Sequence, residues 1–184
     1  MVLTTDFVYK SNANMMRAYG ASLHQCFIPV PLTNPQMFDA IYREMVRRDL
    51  PTLLAMSREN MASIILALWG VEMRDEEVLH AIFDPTVYTE VVEAEGQIIG
   101  FFSVEAQDGN LFINALQVKK GYQGQGYGTA MMARIETLAR AQGASVIELW
   151  VQLTNRPAME FYRHRGYRTI SRQGNNYLMR KKLT

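Results

Sequence analysis

The sequence predicts a layered domain of mixed α/β (α+β) class, and three observations carry that prediction. Two hairpin signals, Glu95-Gly96 and Asp108-Gly109-Asn110, join strand-like runs and make those strands antiparallel. A glycine-rich stretch at 123–128 separates a strand-like run from a helical one, and a short apolar strand follows at 146–151. Such a strand–helix–strand unit calls for parallel strands, so the sheet is mixed. A last strand pair turns around Gly174-Asn175 and completes the layer.

The elements follow in order. Residues 1–39 have no clean period, and Pro29, Pro31 and Pro35 prevent a continuous helix or central strand there. This segment reads as an appended arm, leaving 40–184 as the domain. Its Phe7, Tyr9, Met15, Met16, Tyr19, Phe27, Ile28 and Leu32 are too many apolar groups for a free tail. The arm is therefore expected to pack on the domain or on a second copy of it, as a homodimer.

Residues 41–47 alternate as a strand would, although a helix also fits. Leu50 to Trp69 places Leu53, Leu54, Met61, Ile64, Ile65 and Leu68 at helical spacing, with Pro51 in the first turn and Gly70 as a stop. A short helix runs from Asp75 through Ile82 and ends before Pro85. Strands are expected at 87–94, 97–106 and 111–118. The helix after the glycine-rich loop ends at Ala141, with Gly143 behind it. A further helix spans 155–164 and stops at Gly166, and strands at 167–171 and 177–180 close the chain.

Composition excludes several classes. With 48% hydrophobic and 20% charged residues, the chain is globular rather than disordered. A net charge of +1 offers no basic excess for nucleic acid. The single Cys26 excludes an intrachain disulfide and a cysteine-rich zinc site. His80 and His164 stand alone, so no metal is expected. The longest greasy stretch, 61–70, falls short of the ~20 residues a membrane span needs. The first ten residues lack a basic start and apolar run, so the expected compartment is the cytoplasm.

Chemistry concentrates in Gln123-Gly124-Gln125-Gly126-Tyr127-Gly128-Thr129, between a strand and a helix. Glycines let a ligand approach the main chain, and the free N–H groups of a helix N-terminus favour phosphate oxygens. The same glycines also serve a plain tight turn. No Gly-Lys-Ser/Thr follows, so the stretch is not a Walker loop. Gly124, Gly126 and Gly128 alternate, which fails the dinucleotide spacing.

The run from Leu116 through Gly128 resembles the acetyl-CoA-binding motif of the GNAT superfamily of N-acetyltransferases: Gln or Arg, two residues, Gly, one residue, then Gly or Ala. Gln123, Gly126 and Gly128 match it. Asn155-Arg156-Pro157-Ala158-Met159-Glu160-Phe161-Tyr162, followed by Gly166-Tyr167, resembles the family's second characteristic region. The likeness covers the chain from about Ala40 to Leu183.

The resemblance implies a mostly antiparallel central sheet with helices on both faces and a splayed parallel strand pair. It implies acetyl-CoA as cosubstrate, its pantetheine arm lying in the splay against main-chain groups of Leu116 and Val118. Its pyrophosphate would rest on N–H groups from Gln123 to Thr129, including Gly124, Gly126 and Gly128. Asn155 is an N-cap by its place before Pro157; the family adds a hydrogen bond to the cofactor arm. Tyr162 lies on the same helix face as Asn155 and would otherwise read as a packed aromatic. In the family a tyrosine here protonates the departing thiolate, which makes Tyr162 the catalytic candidate.

The implied activity is N-acetyl transfer by direct attack in a ternary complex. The acceptor is expected to be a small-molecule amine or a protein N-terminus. The competing reading is a CoA-binding regulatory or interaction domain with weak catalysis. No general base is assigned: the family's glutamate position holds Trp150, and the strand before the loop offers Asn114 and Gln117, which do not titrate. Glu105 and Glu148 remain as relays through water. His24 with Cys26, the cluster Arg163-His164-Arg165, and Trp69-Gly70 at a helix end are weaker candidates.

Overall fold

Seven strands form one sheet in the computed structural model, which describes residues 40–183. The expected arm at 1–39, with His24 and Cys26 and its packing on a second copy, lies outside the described residues. The strands are β1 (Ile41–Glu44), β2 (Val87–Ala94), β3 (Gln97–Gln107), β4 (Asn110–Val118), β5 (Val146–Gln152), β6 (Arg168–Gln173) and β7 (Asn176–Lys182). The helices are α1 (Leu50–Trp69), α2 (Asp75–Phe83), α3 (Tyr127–Ala141) and α4 (Arg156–Arg163). Their order across the sheet is β1-β2-β3-β4-β5-β7-β6, and only β4 and β5 pair in parallel. The mixed, mostly antiparallel sheet is the one the sequence implies.

Helices cover both faces. Leu53 and Met56 of α1 and Val78 and Ile82 of α2 pack on Val91 and Phe101. On the opposite face Met131, Ile135 and Leu138 of α3 and Met159 of α4 meet Val92, Phe102, Val104 and Ile147. Neighbours Val91 and Val92, or Phe101 and Phe102, thus belong to different cores, as a period of two requires. Each such side chain contributes roughly 1.5–3 kcal/mol by leaving water. Burial on both sides also explains why β3 reads as a continuous apolar run.

Some boundaries differ from expectation. β1 stops at Glu44 because Asp49 accepts the Val46 N–H at 2.9 Å and pairs with Arg43 at 2.7 Å, folding Arg47–Asp49 into a 3-10 turn. β6 and β7 run further toward their turn, since Gln173 pairs with Asn176 through the backbone although both are polar. One buried ion pair had no signal in the sequence. Arg134 of α3 donates to Glu90 of β2 at 2.6 and 3.0 Å, and the Tyr88 hydroxyl donates to the same carboxylate at 2.8 Å.

The feature that opens the site is a bulge. β3 and β4 pair Ser103 with Ala115 and Val104 with Ile113, which leaves Asn114 as an extra residue. The alternation shifts there. Leu111 and Ile113 face the α3–α4 core, and past the bulge Leu116 and Val118 do so, while Ala115 turns to the α1–α2 core. β4 and β5 pair only from Asn110/Val146 to Ile113/Leu149 and then part.

Candidate active site

Where β4 and β5 part lies a cleft of about 810 Å³. Asn60, Met61 and Ile64 of α1 line one side, Ala158, Phe161 and Tyr162 of α4 another, and the glycine-rich loop one end. The main chain of β4 is set for a ligand by parity. The Lys119 N–H donates to the Ile99 carbonyl at 2.9 Å, so Val118 and Gly100 are a non-hydrogen-bonded pair. Leu116 and Phe102, two residues back, share that parity. The N–H and C=O groups of Leu116 and Val118 therefore point away from β3, toward the gap that β5 has left.

The Val118 carbonyl is already engaged. It accepts the Asn60 side-chain amide at 3.0 Å and that of Gln123 at 2.9 Å. Asn60 also donates to Gln117 Oε1 at 2.9 Å and accepts from Gln123 Nε2 at 3.2 Å. Gln123 thus ties the loop to α1, and its own N–H donates to Lys120. Val118 keeps its N–H for the cleft, while Gln123 shapes the loop through its partners in the protein.

The loop reverses at Gly124 (φ 75°) and Gly126 (φ 94°), left-handed values that glycine adopts without strain. Gly126 is the N-cap of α3, and the N–H groups of Tyr127, Gly128 and Thr129 follow without intrahelical acceptors. Gly128 has a second reason to be glycine. A Cβ there would stand 3.3 Å from two ring atoms of Phe161, so its absence lets α3 and α4 approach.

Asn155 caps α4, its Oδ1 accepting the Ala158 N–H at 3.3 Å, and it lines the cleft as well. The structural and the ligand-facing readings of this residue therefore share one position. Tyr162 is buried in the wall, its ring 5.2 Å from Phe161 and 5.6 Å from Tyr167 by centroids. Burial raises its phenol above the ordinary value, and the nearby Arg165 charge opposes this to a smaller extent. The hydroxyl stays protonated at neutral pH.

Asn114, Gln117 and Trp150 line the cleft; Glu105 and Glu148 do not. Glu148 is paired with Arg180 at 2.6 Å, and Glu105 accepts from Gln107 at 3.4 Å. Trp69 ends α1 outside the cleft lining, and His80 and His164 are exposed. Among the described residues no cluster of three metal-ligating side chains occurs, and no helix is long and apolar enough to cross a membrane. Asn60 escaped sequence reasoning, because it finds its partners 57 to 63 residues away, which no local pattern encodes. Of the basic cluster Arg163-His164-Arg165, Arg165 lines the cleft.

Comparison with known proteins agrees with this geometry. Residues 49–167 match the Acetyltransferase (GNAT) family. A mycothiol acetyltransferase of Clavibacter michiganensis subsp. michiganensis is 29% identical over 94 residues, 51% of this chain and 31% of its own. The match thus spans about a third of that relative's length. An uncharacterized N-acetyltransferase of Methanocaldococcus jannaschii is 28% identical over 134 residues, covering 70% of this chain and 78% of that one. The PaiA N-acetyltransferase from Thermoplasma acidophilum in complex with coenzyme A superposes with a TM-score of 0.65 at 19% identity, over 78% of this chain and 99% of that one. The ribosomal-protein-S18-alanine N-acetyltransferase of Escherichia coli does so with a TM-score of 0.62 at 16% identity, over 78% and 93%.

Proposed function

The chain belongs to the acetyltransferase (GNAT) family, and from that premise we propose that it moves the acetyl group of acetyl-CoA to a primary amine by direct attack in a ternary complex. The observation that supports this reading is the main chain of Leu116 and the Val118 N–H, turned away from β3 toward a cleft with the N-terminus of α3 at one end and Tyr162 in its wall. A pantetheine arm carries amides and is extended, so it pairs with free strand groups as another strand would. Its pyrophosphate rests at the N-terminus of α3, on the loop from Gly124 to Thr129. Asn155 turns its remaining amide donors to the same arm.

In the reaction the amine nitrogen attacks the thioester carbonyl carbon, and the oxygen gains charge that the Val118 N–H stabilises. The C–S bond breaks, and Tyr162 gives its proton to the departing sulfur. An amine that enters neutral sheds one proton as the amide forms, and the phenolate recovers one. The acceptor is a small-molecule amine or a protein N-terminus. An α-amino group, with a pKa of roughly 8, enters neutral far more readily than a lysine side chain near 10.4. That matters because no carboxylate or imidazole lines the cleft among the described residues.

The same lining supports the second reading, a CoA-binding regulatory domain with weak catalysis. Free-thiol release from acetyl-CoA, followed with a panel of amines that includes peptides with free N-termini, separates the two. Release that depends on the amine is expected. CoA binding without release for any amine would leave the regulatory reading standing.

A further inference from the structure

The small net charge of the chain conceals an uneven distribution. Residues 153–184 hold eight Arg or Lys against one acidic residue, Glu160, while residues 1–152 hold eleven against seventeen. Such a division points to an anionic partner for the basic part. The sheet register shows where its charges lie. Ile147, Leu149 and Val151 of β5 and Met179 of β7 face the α3–α4 core. Glu148 and Trp150 of β5, Arg180 and Lys182 of β7, and Arg168 opposite Arg180 on β6 therefore turn to the other face. No helix core closes that part of the sheet, because the α1–α2 core takes strand side chains from β2, β3 and β4 and none from β5, β6 or β7. Arg180 is answered by Glu148 at 2.6 Å. Arg168 and Lys182 are exposed, and neither pairs with a carboxylate among the described residues. Trp150, on the same face, lines the cleft, so the basic face begins where the cleft ends. By strand rise and spacing, Arg168 and Lys182 lie roughly 12–14 Å from Trp150 along the backbone grid, the length of about four extended residues.

We propose that this open face of β5, β7 and β6 docks the chain behind the acceptor amine, and that the acceptor is the N-terminus of an acidic peptide segment. The proposal rests on the acetyl-transfer reading above and names the acceptor class for that cleft. With the α-amino group at the thioester, carboxylates on roughly the third to fifth residues reach Arg168 and Lys182 over Trp150 and Leu178. Charge of this kind acts on selectivity and on encounter more than on tight binding, which suits a substrate that must leave after one turnover. Other occupants fit less well. The segment 1–39 carries Asp6 and Asp39 against Lys10 and Arg17, so it has no negative excess to offer. Two unanswered cations beside a cleft match one or two carboxylates, whereas a nucleic-acid backbone is met by a longer basic stripe.

The test is thiol release from acetyl-CoA with three sets of free-amine peptides that share their first two residues and carry Glu, Gln or Lys at positions three to five. The full-length wild type and the double variant Arg168→Glu, Lys182→Glu are compared at several salt concentrations. In the wild type kcat/KM for the Glu peptides is expected to exceed that for the Gln peptides by about fivefold to tenfold at low salt, chiefly through KM, and the advantage should fade as salt rises. The double variant should lose that preference and favour the Lys peptides, with its KM for acetyl-CoA unchanged. Should it not fold, Arg168→Gln with Lys182→Gln is expected to level the three sets. Equal kcat/KM for all three sets in the wild type, or a preference for Glu that survives in the variant, would overturn the proposal while leaving acetyl transfer intact. Equal rates together with RNA binding, or with a self-associated mass in solution, that the double variant abolishes would overturn it in favour of nucleic acid or of a second copy. A wild type that releases no thiol with any peptide or small amine would overturn the acetyl-transfer reading itself, and this proposal with it.

Discussion

Burial keeps the Tyr162 phenol neutral well past neutral pH, which suits the proton-donor role proposed for it. Phenylalanine in its place retains the ring between Phe161 and Tyr167 and removes only the hydroxyl. Tyr162→Phe is expected to lower kcat and kcat/KM together by ~10²-fold, with the melting temperature and CoA affinity near wild type. Initial rates beside thermal melts check this, and wild-type turnover in the Phe variant would give the proton transfer to water. Tyr162→Ala, by contrast, is expected to lose roughly 3 kcal/mol or more of stability through the cavity it leaves. Asn155 and the glycines were legible in the sequence because their chemistry is local, a cap before Pro157 or a reversal before a helix, whereas Tyr162 stood out from a packed aromatic only through the resemblance to the family. Asn60 was not, since an amide in mid-helix reads as surface until Gln117 and Gln123 arrive from a distant part of the chain.

At the scale of elements, α3 is held to β2 by Arg134 and Glu90, whose side chains are 7% and 2% exposed. Removing one member leaves the other charge buried. Arg134→Met is expected to destabilise by roughly 3–5 kcal/mol, with much of the loss recovered when Glu90→Leu is added. Urea unfolding of both single variants and the double variant measures the coupling. Helix limits were legible where local chemistry sets them: Pro51 opens α1 and Gly70 ends it. The bulge at Asn114 was hidden, because a bulge exists only relative to the partner strand and β4 alone shows an unbroken run. The pairing of polar β6 with β7 was hidden for a similar reason: exposed faces leave no alternation to read.

For the whole molecule, the buried tyrosines set an alkaline limit. Burial pushes Tyr42 up to about 12, and Tyr88, Tyr162 and Tyr167 are raised further, again chiefly by burial. Their folded-state values lie above the unfolded value near 10, so the folded protein holds these protons more tightly. Their contribution to stability is complete below pH ~10 and is lost as pH rises from there through the folded-state values. Melting temperature is expected to show no loss from this source up to about pH 10 and a steep fall above it. Phenolate absorbance from this group should appear together with unfolding. Smooth ionisation of all nine tyrosines in a still-folded protein would contradict this assignment.

Past Ile113, the inner strand β4 has an open edge in the middle of a seven-stranded sheet. An unpaired edge is a template for aggregation, because any extended chain can dock on its free amides and carbonyls. Here Asn60 and Gln123 cap the Val118 carbonyl from two sides. They shorten the open ladder without filling the cleft, leaving the Val118 N–H and the Leu116 groups to a ligand with few amides. A strand of another molecule, needing a longer continuous ladder, finds its register interrupted at Val118. The amide cluster that links α1 to the glycine-rich loop therefore also guards the sheet against self-association.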